Sequence, residues 1–178
     1  MNKVDEILTP KVCFTSTAWL LHQGKVMMIK HKKLGMWLAP GGHIEENELP
    51  HQAAEREFWE ETGIKVKAFG TNVDFVGKES VFVPNPFLSN LHWVCEENFA
   101  VRQGKLAADQ VPEGWRNKGC EQHIAFSYFV KPVGSVTFKQ NVEETLGIGW
   151  FTRQEVEELD THEDVKKEAG LVFEKFPS

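Results

Sequence analysis

Acidic residues crowd into one short segment, which constrains the fold more than any other part of the chain. Residues 50–62 are rich in alanine, glutamate and large apolar side chains, a composition that favours a helix. Pro50 suits a first helical turn because no N–H is needed there, and Gly63 is typical of the residue that ends a helix. Ala54 and Phe58 form an apolar face. We therefore expect a helix that packs on a sheet through this face.

Three carboxylates share a neighbouring face of the predicted helix. Glu57, Glu60 and Glu61 are spaced i, i+3 and i+4, so their side chains lie together. Their mutual repulsion grows in a partly buried cleft, where the effective dielectric constant falls. Arg56 supplies one counter-charge at most and is expected to point to a different side. A hard divalent cation would neutralise the face. The alternative is a solvated acidic face, which is common on glutamate-rich helices.

The spacing around these glutamates belongs to a longer pattern. Gly42 is followed after five residues by Glu48, and seven further residues lead to Arg56. The pattern then continues without a gap through Glu57, Phe58, Trp59, Glu60, Glu61, Thr62, Gly63 and Ile64. It resembles the Nudix box at every defined position, and residues 37–42, Trp-Leu-Ala-Pro-Gly-Gly, are similar to the usual lead-in of that family. The resemblance favours a metal site over a solvated acidic face.

The Nudix resemblance implies a fold and an activity. The expected fold class is α/β, a Nudix-type α/β/α sandwich with a mixed β-sheet between helices. The expected activity is divalent-metal-dependent hydrolysis of a pyrophosphate bond in a nucleoside diphosphate linked to another moiety, by metal-activated water. The implied cofactor is Mg²⁺ or Mn²⁺. The alternative is a non-catalytic nucleotide-sensing or regulatory module of Nudix fold, which an incomplete box would favour.

The resemblance also implies roles for individual residues. Arg56 would pair with Glu48, hold the loop against the helix and orient Glu57. The box residues implied in catalysis are Glu48, Arg56, Glu57, Glu60 and Glu61. The implied metal ligands are three box glutamates, a backbone carbonyl and an acid outside the box, namely Glu57, Glu60, Glu61, Gly41 and Glu144. Glu143 and Glu121 are the rivals of Glu144 for the outside position.

Substrate choice is expected to depend on residues outside the box. Trp37 and Phe87 are candidates for stacking on a base, with core or loop packing as the alternative. His43 and His123 are candidates for substrate contact, with an ordinary hydrogen-bonded histidine as the alternative. The sequence markers of the ADP-ribose, diadenosine polyphosphate and NADH hydrolase subfamilies are incomplete here. The sequence therefore assigns no individual substrate.

The whole chain, residues 1–178, is expected to form a single domain. Residues 81–118 are expected to form an insertion or long loop, either over the cleft or at a dimer contact. The strand at 25–30 is expected to be the hairpin partner of the strand at 12–21. The other predicted elements are strands at 64–76, 91–95, 123–130 and 148–151 and helices at 153–159 and 163–173.

Composition limits the expected partners and location. The chain carries 26 acidic and 20 basic residues, and its net charge of −6 disfavours general binding to nucleic acid or to an anionic membrane. No apolar run approaches the roughly 18 residues of a membrane span. The first residues lack the pattern of a secretory signal, so a cytoplasmic location is expected. The expected partner is a small nucleotide-derived substrate, with a homodimer as a further option.

The three cysteines are Cys13, Cys95 and Cys120. Their number is odd, their spacings are wide and no Cys-x-x-Cys occurs. This pattern favours neither a disulfide framework nor a zinc site. We expect three reduced thiols in or near the core.

Overall fold

The computed structural model describes residues 10–70, 78–104 and 119–175. Residues 71–77, part of a predicted strand region, and residues 105–118, part of the predicted insertion, lie outside these ranges. In chain order the strands are β1 (Val12–Trp19), β2 (Leu21–His22), β3 (Lys25–His31), β4 (Trp37–Leu38), β5 (Gly41–His43), β6 (Val66–Phe69), β7 (Leu88–Trp93), β8 (Gln122–Pro132) and β9 (Thr145–Phe151). The helices are α1 (Pro50–Thr62), α2 (Glu96–Arg102), α3 (Arg153–Glu158) and α4 (Glu163–Lys175).

The strands form two sheets, of which the larger has five strands and mixed direction. Strands β1 and β8 run parallel at its centre, with Val12 opposite Gln122 and Trp19 opposite Phe129. Strand β5 pairs antiparallel with β1, and β6 and β7 pair antiparallel with β8. In the smaller sheet, β3 pairs antiparallel with β2, β4 and β9. The predicted mixed sheet is confirmed.

Helix α1 covers one face of the larger sheet. It begins at Pro50 and ends at Gly63, whose φ of 72° lies in the left-handed region that glycine adopts without strain. The Gly63 N–H donates to the carbonyl of Trp59 at 2.7 Å. Ala54 and Phe58 are fully buried against apolar side chains of β1, β3, β6 and β8. The predicted apolar face of the helix is confirmed.

The opposite face of the larger sheet packs against the smaller sheet and the last two helices. Trp19 and Phe129 join Val156 of α3 and Val172 of α4 in a second buried apolar cluster. Glu168 of α4 is half-buried, and it accepts hydrogen bonds from Trp19 Nε1 at 3.2 Å and from the Ser127 hydroxyl at 3.1 Å. Helices therefore lie on both faces of a mixed sheet, which confirms the predicted α/β/α sandwich.

One prediction about strand pairing is wrong. Strand β3 pairs over most of its length with β9, whereas β1 pairs with β8, so only Leu21 and His22 make the predicted hairpin contact. Local turn signals cannot reveal a partner that lies more than a hundred residues away. Residues 81–118, predicted as an insertion or long loop that holds a strand at 91–95, contain β7 and α2 in their described part. The remaining predicted strands and helices are present, with shifted ends.

The prediction of three reduced thiols is also wrong. The structure contains a disulfide between Cys13 and Cys120, whose Cα atoms lie 5.7 Å apart, and leaves Cys95 as an exposed free thiol. Cys13 lies in β1 opposite His123 of β8, and Cys120 shortly precedes β8. Parallel pairing of these strands brings together two cysteines that are 107 residues apart in sequence. Within the described ranges, no helix has the length and apolar character needed to cross a membrane.

Candidate active site

The three box carboxylates converge where α1 meets strand β5. Glu61 is buried, with 3% of its surface exposed, and its Oε2 accepts a hydrogen bond from the Gly41 N–H at 3.1 Å. The side chain of Glu57 is 16% exposed and that of Glu60 is 37% exposed. The group therefore extends from the interior to the surface, as a site that admits a solvated ligand requires.

Arg56 links the helix to the loop in front of it. Its Nε and Nη2 donate to the two carboxylate oxygens of Glu48, each at 2.9 Å, in a bidentate pair. Nη2 also donates to the carbonyl of His43 at 3.0 Å. Nη1 donates to Glu57 at 2.8 Å and to Glu60 at 2.9 Å. The expectation that Arg56 points away from the carboxylates is wrong, because its long side chain folds back along its own helix.

Burial and charge act on the pKa values of this group in opposite ways. Burial is the main cause that raises the pKa of Glu57, and burial likewise raises the pKa of Glu61 to about 8. By contrast, the hydrogen bonds from Arg56 hold the pKa of Glu48 below its ordinary value. The charged forms of Glu57 and Glu61 are therefore costly in the protein alone. Oxygen donors in this state are suited to a hard divalent cation, which would favour their ionised forms.

Two glycines allow the loop to approach this group. An added Cβ at Gly42 would lie 2.5 Å from Cδ of Glu57. An added Cβ at Gly41 would lie 2.8 Å from the backbone Cα of Thr17, on the neighbouring strand β1. The absence of a side chain at both positions therefore leaves room for the carboxylates on one side and for strand pairing on the other.

Glu144 is the acid outside the box whose charge acts on the carboxylate group. Burial is the largest cause of the raised pKa values of Glu57 and Glu61, and the charge of Glu144 adds to both. The loop before β9 is held to the end of α1, because the Asn141 N–H donates to the carbonyl of Glu61 at 3.3 Å. This connection explains how a residue 83 positions beyond Glu61 comes to act on it.

The two rivals of Glu144 are engaged differently. Glu121 is buried, and its carboxylate accepts hydrogen bonds from Arg102 Nη2 at 2.6 Å and from the Lys11 N–H at 3.2 Å. Its pKa is lowered chiefly by Arg102, as expected for one half of an ion pair. Glu143 is exposed, and its N–H donates to the side chain of Asn141 at 3.1 Å. Of these three acids, Glu144 is the one whose charge acts on Glu57 and Glu61.

The four predicted substrate contacts fall into two pairs. The ring of Trp37 packs on Phe151 at 4.8 Å between centroids, and Phe87 stacks on Phe129 at 3.9 Å. Both aromatic residues are therefore held by apolar packing. The rings of His43 and His123 lie perpendicular to each other, with centroids 5.1 Å apart. The pKa of His123 is lowered to about 4, chiefly by burial and then by the neighbouring histidines.

Two polar residues of β7, which were not predicted from the sequence, lie beside this histidine pair. His92 lies opposite His123 with ring centroids 5.5 Å apart, and Asn90 lies opposite Ala125 on the same face of the sheet. The buried Nδ1 of His92 and the buried Oδ1 of Asn90 have no hydrogen-bond partner within the described residues. Such groups are costly unless a water or ligand satisfies them. Polar and apolar residues alternate only over 90–93, and that short pattern is the one signal in the sequence that could have indicated this face.

Exchange of Arg56 for lysine tests whether the bidentate contact positions Glu57. We expect Arg56→Lys to lower kcat by about 10- to 100-fold, the cost typical of residues that orient metal ligands. The reason is that one ammonium group cannot reproduce the fork that joins Glu48, Glu57 and Glu60. Steady-state kinetics measures the effect. Arg153→Lys is the matched control, since Arg153 pairs with Glu174 at the exposed surface; equal losses in both variants would contradict the assignment.

Comparisons with known proteins match a family model to most of this chain. A model of the NUDIX domain matches residues 14–171 of this chain. A MutT-like protein of Streptomyces ambofaciens is 35% identical over 69 residues, which are 38% of this chain and 45% of that protein. A putative 8-oxo-dGTP diphosphatase, YtkD of Bacillus subtilis, is 30% identical over 112 residues, which are 61% of this chain and 66% of that protein. This chain thus spans less than half of the first relative and about two thirds of the second.

A solved structure supports the fold over nearly the whole chain. A hydrolase of the NUDIX family from Clostridium perfringens superposes with a TM-score of 0.63. The match covers 92% of this chain and 97% of that one, at 22% sequence identity. At this level of identity the likeness establishes the shared fold.

Proposed function

The chain belongs to the NUDIX family of hydrolases, and we propose that it hydrolyses a pyrophosphate bond in a nucleoside diphosphate linked to another moiety, using a divalent cation. The carrying observation is the convergence of Glu57, Glu60 and Glu61 beside Gly41, with the charge of Glu144 acting on the same group. These are hard oxygen donors from two segments of the chain. Mg²⁺ or Mn²⁺ is the cation that this donor set fits.

The proposed mechanism assigns a task to each part of the site. When bound, a divalent cation would offset the negative charge of the phosphates and lower the pKa of water. The box glutamates, the Gly41 carbonyl and Glu144 would hold it. Arg56 and Glu48 would fix the position of Glu57. Hydrolysis breaks one P–O bond of the pyrophosphate and forms one between phosphorus and the attacking water, and a carboxylate of the site accepts the water's proton.

The nucleoside part of the substrate is proposed to lie over the face of the larger sheet that β7 and β8 form. His123 and His43 border this face beside the box loop, and Asn90 and His92 each have a buried polar atom there with no partner among residues 10–70, 78–104 and 119–175. Trp37 and Phe87 are proposed to contribute walls, because their rings are held by packing on Phe151 and Phe129. A nucleobase carries the donors and acceptors that would satisfy such polar atoms.

Removing the side chain of Asn90 tests that placement. We expect Asn90→Ala to raise KM for the nucleotide substrate by about 5- to 20-fold with a smaller change in kcat, because one binding hydrogen bond of about 1–2 kcal/mol is lost. Steady-state kinetics separates the two constants. Leu91→Ala is the control, since Leu91 lies on the other face of β7 and is exposed. An unchanged KM in Asn90→Ala would remove Asn90 from the substrate site.

Binding of a divalent cation is expected to stabilise the fold. At a Mg²⁺ concentration of about 100 times Kd the gain is about 2.7 kcal/mol, or a rise in Tm of about 5–10 °C for a chain of this size. Differential scanning calorimetry with Mg²⁺, with Mn²⁺ and with chelator measures this shift. Glu61→Gln should reduce the shift, since Glu61 is a proposed ligand. A wild-type Tm that does not change in millimolar Mg²⁺ would contradict a preformed site.

A substrate panel tests the proposed reaction directly. The panel contains nucleoside triphosphates, ADP-ribose, nucleotide sugars, dinucleotides and diadenosine polyphosphates, each with Mg²⁺, with Mn²⁺ and with chelator. Metal-dependent release of phosphate or nucleotide from one class would support the proposal and define that class. Metal binding without cleavage of any member would instead favour the nucleotide-sensing alternative.

We propose that residues 1–178 form one domain, which the match of one family model to residues 14–171 supports. A cytoplasmic location and a homodimer are also proposed. Cell fractionation and analytical ultracentrifugation of the full chain would test these two.

A further inference from the structure

A second group of ligating side chains lies on the larger sheet, outside the carboxylate site. Cys13 of β1, His43 of β5 and Cys120 before β8 each offer one ligand atom, and these atoms lie within 4.8 Å of one another. The Nε2 of His43 lies 3.3 Å from Sγ of Cys120. Strand pairing creates the group, since Thr15 pairs with His43 and Cys13 lies two residues before Thr15 on the same face.

The chemistry of this group differs from that of the carboxylate site. Two thiolates and an imidazole are soft and borderline ligands, which select Zn²⁺ over Mg²⁺. Tetrahedral Zn²⁺ with bonds of about 2.3 Å to sulfur and about 2.0 Å to nitrogen places its ligand atoms roughly 3.5–3.8 Å apart. The His43 Nε2 to Cys120 Sγ separation of 3.3 Å is already close to these values, and breaking the disulfide is what lets the two sulfurs move apart to reach them. His43 is exposed, which leaves an entry path for the ion.

We propose that Cys13, His43 and Cys120 form a Zn²⁺ site when the Cys13–Cys120 disulfide is reduced, with water in the fourth position. The disulfide and the metal site are then alternative states of the same two sulfurs. Binding of the ion would fix β1, β5 and the start of β8 to one another. This proposal is independent of the pyrophosphohydrolase activity.

A phosphine as reductant converts the disulfide state into the dithiol that binds the metal, and each step of this change balances. The S–S bond breaks, phosphorus is oxidised to the phosphine oxide with an oxygen atom from water, and the two protons of that water complete two thiols. Binding of Zn²⁺ then releases both thiol protons to solvent and forms two Zn–S bonds. The His43 ring supplies the third bond through its Nε2.

Cobalt(II) is the probe that separates this site from the carboxylate site. Co²⁺ bound by thiolates gives a sulfur-to-metal charge-transfer band, which oxygen ligands alone cannot give. We expect the phosphine-reduced full chain to develop this band, to saturate at about one equivalent, and to lose the band when one equivalent of Zn²⁺ is added. Excess Mg²⁺ should leave it unchanged. The oxidised chain should not develop it.

Variants test each ligand in turn. Cys13→Ser and Cys120→Ser should each reduce the intensity of the band by about half or abolish it, and His43→Ala should weaken Co²⁺ binding at least about tenfold. Cys95→Ser is the matched control and should behave as wild type, because Cys95 lies outside the group. No band in reduced wild type with a native circular dichroism spectrum would overturn the proposal, as would loss of the band in Cys95→Ser.

X-ray absorption of the zinc-loaded wild type keeps the proposal testable if a variant does not fold. The expected first shell has two sulfur atoms at about 2.3 Å and at least one imidazole nitrogen at about 2.0 Å. A shell of oxygen and nitrogen alone would overturn the proposal, because Zn²⁺ would then occupy the carboxylates.

Discussion

Glu57→Gln is expected to lower kcat by at least about 100-fold while leaving the fold intact. The substitution keeps the size of the side chain and removes the charge that a hard cation needs from its ligand. Orienting contacts alone cost about 10- to 100-fold when they are lost, so loss of a ligand should cost no less. Turnover at saturating substrate and Mg²⁺ is the measurement. Wild-type turnover in this variant would refute the proposed metal site.

The stability of Glu57→Gln provides a second readout. Burial raises the pKa of Glu57, so its ionised form is disfavoured in the metal-free protein and a neutral amide should be tolerated there. Arg56 keeps its contacts with Glu48 and Glu60. We therefore expect the metal-free Tm to be unchanged or higher and the Mg²⁺-dependent rise in Tm to shrink. Glu46→Gln, at an exposed loop position, is the control and should change neither quantity.

The sequence predicted those parts of the site that local spacing determines. Glu57, Glu60 and Glu61 share a face because they share a helix, and Gly63 ends that helix through a single backbone angle. Glu144 was identified only by resemblance, and its effect on Glu61 depends on a loop that is tied to the end of α1. The direction of Arg56 was mistaken because a helical wheel describes where a side chain starts and omits where a long side chain ends.

Strand pairing over long distances accounts for what the sequence did not predict. Cys13 and Cys120 are neighbours only because β1 and β8 run parallel in one register, and this pairing also places His123 beside His43. Asn90 became a candidate only because its buried Oδ1 has no hydrogen-bond partner in the part of the chain that the structure describes. Periodicity identifies a strand and its two faces, but it carries no information on which strand lies alongside.

Gly42→Ala is expected to lower kcat by about 100-fold with little loss of stability. The new Cβ would lie 2.5 Å from Cδ of Glu57, so this carboxylate has to move. A displacement of about 1 Å at a catalytic group can cost 100-fold in rate. The neighbour that gives way is the end of a flexible side chain, so Tm should change by only a few degrees. Kinetics and calorimetry on the same preparation measure both effects.

Gly41→Ala should show the opposite pattern, with stability affected more than kcat, and so serves as the comparison. Its Cβ would lie 2.8 Å from Cα of Thr17 and closer still to the carbonyl of Ser16. Backbone cannot move aside as a side chain can, so pairing of β5 with β1 should weaken by about 1–3 kcal/mol. Gly119→Ala is the control, since its Cβ would meet no atom of the described residues within 4 Å. If Gly42→Ala lost as much stability as Gly41→Ala, the glycine at position 42 would be required for loop packing. The close approach of Glu57 would then not explain why a glycine occupies this position.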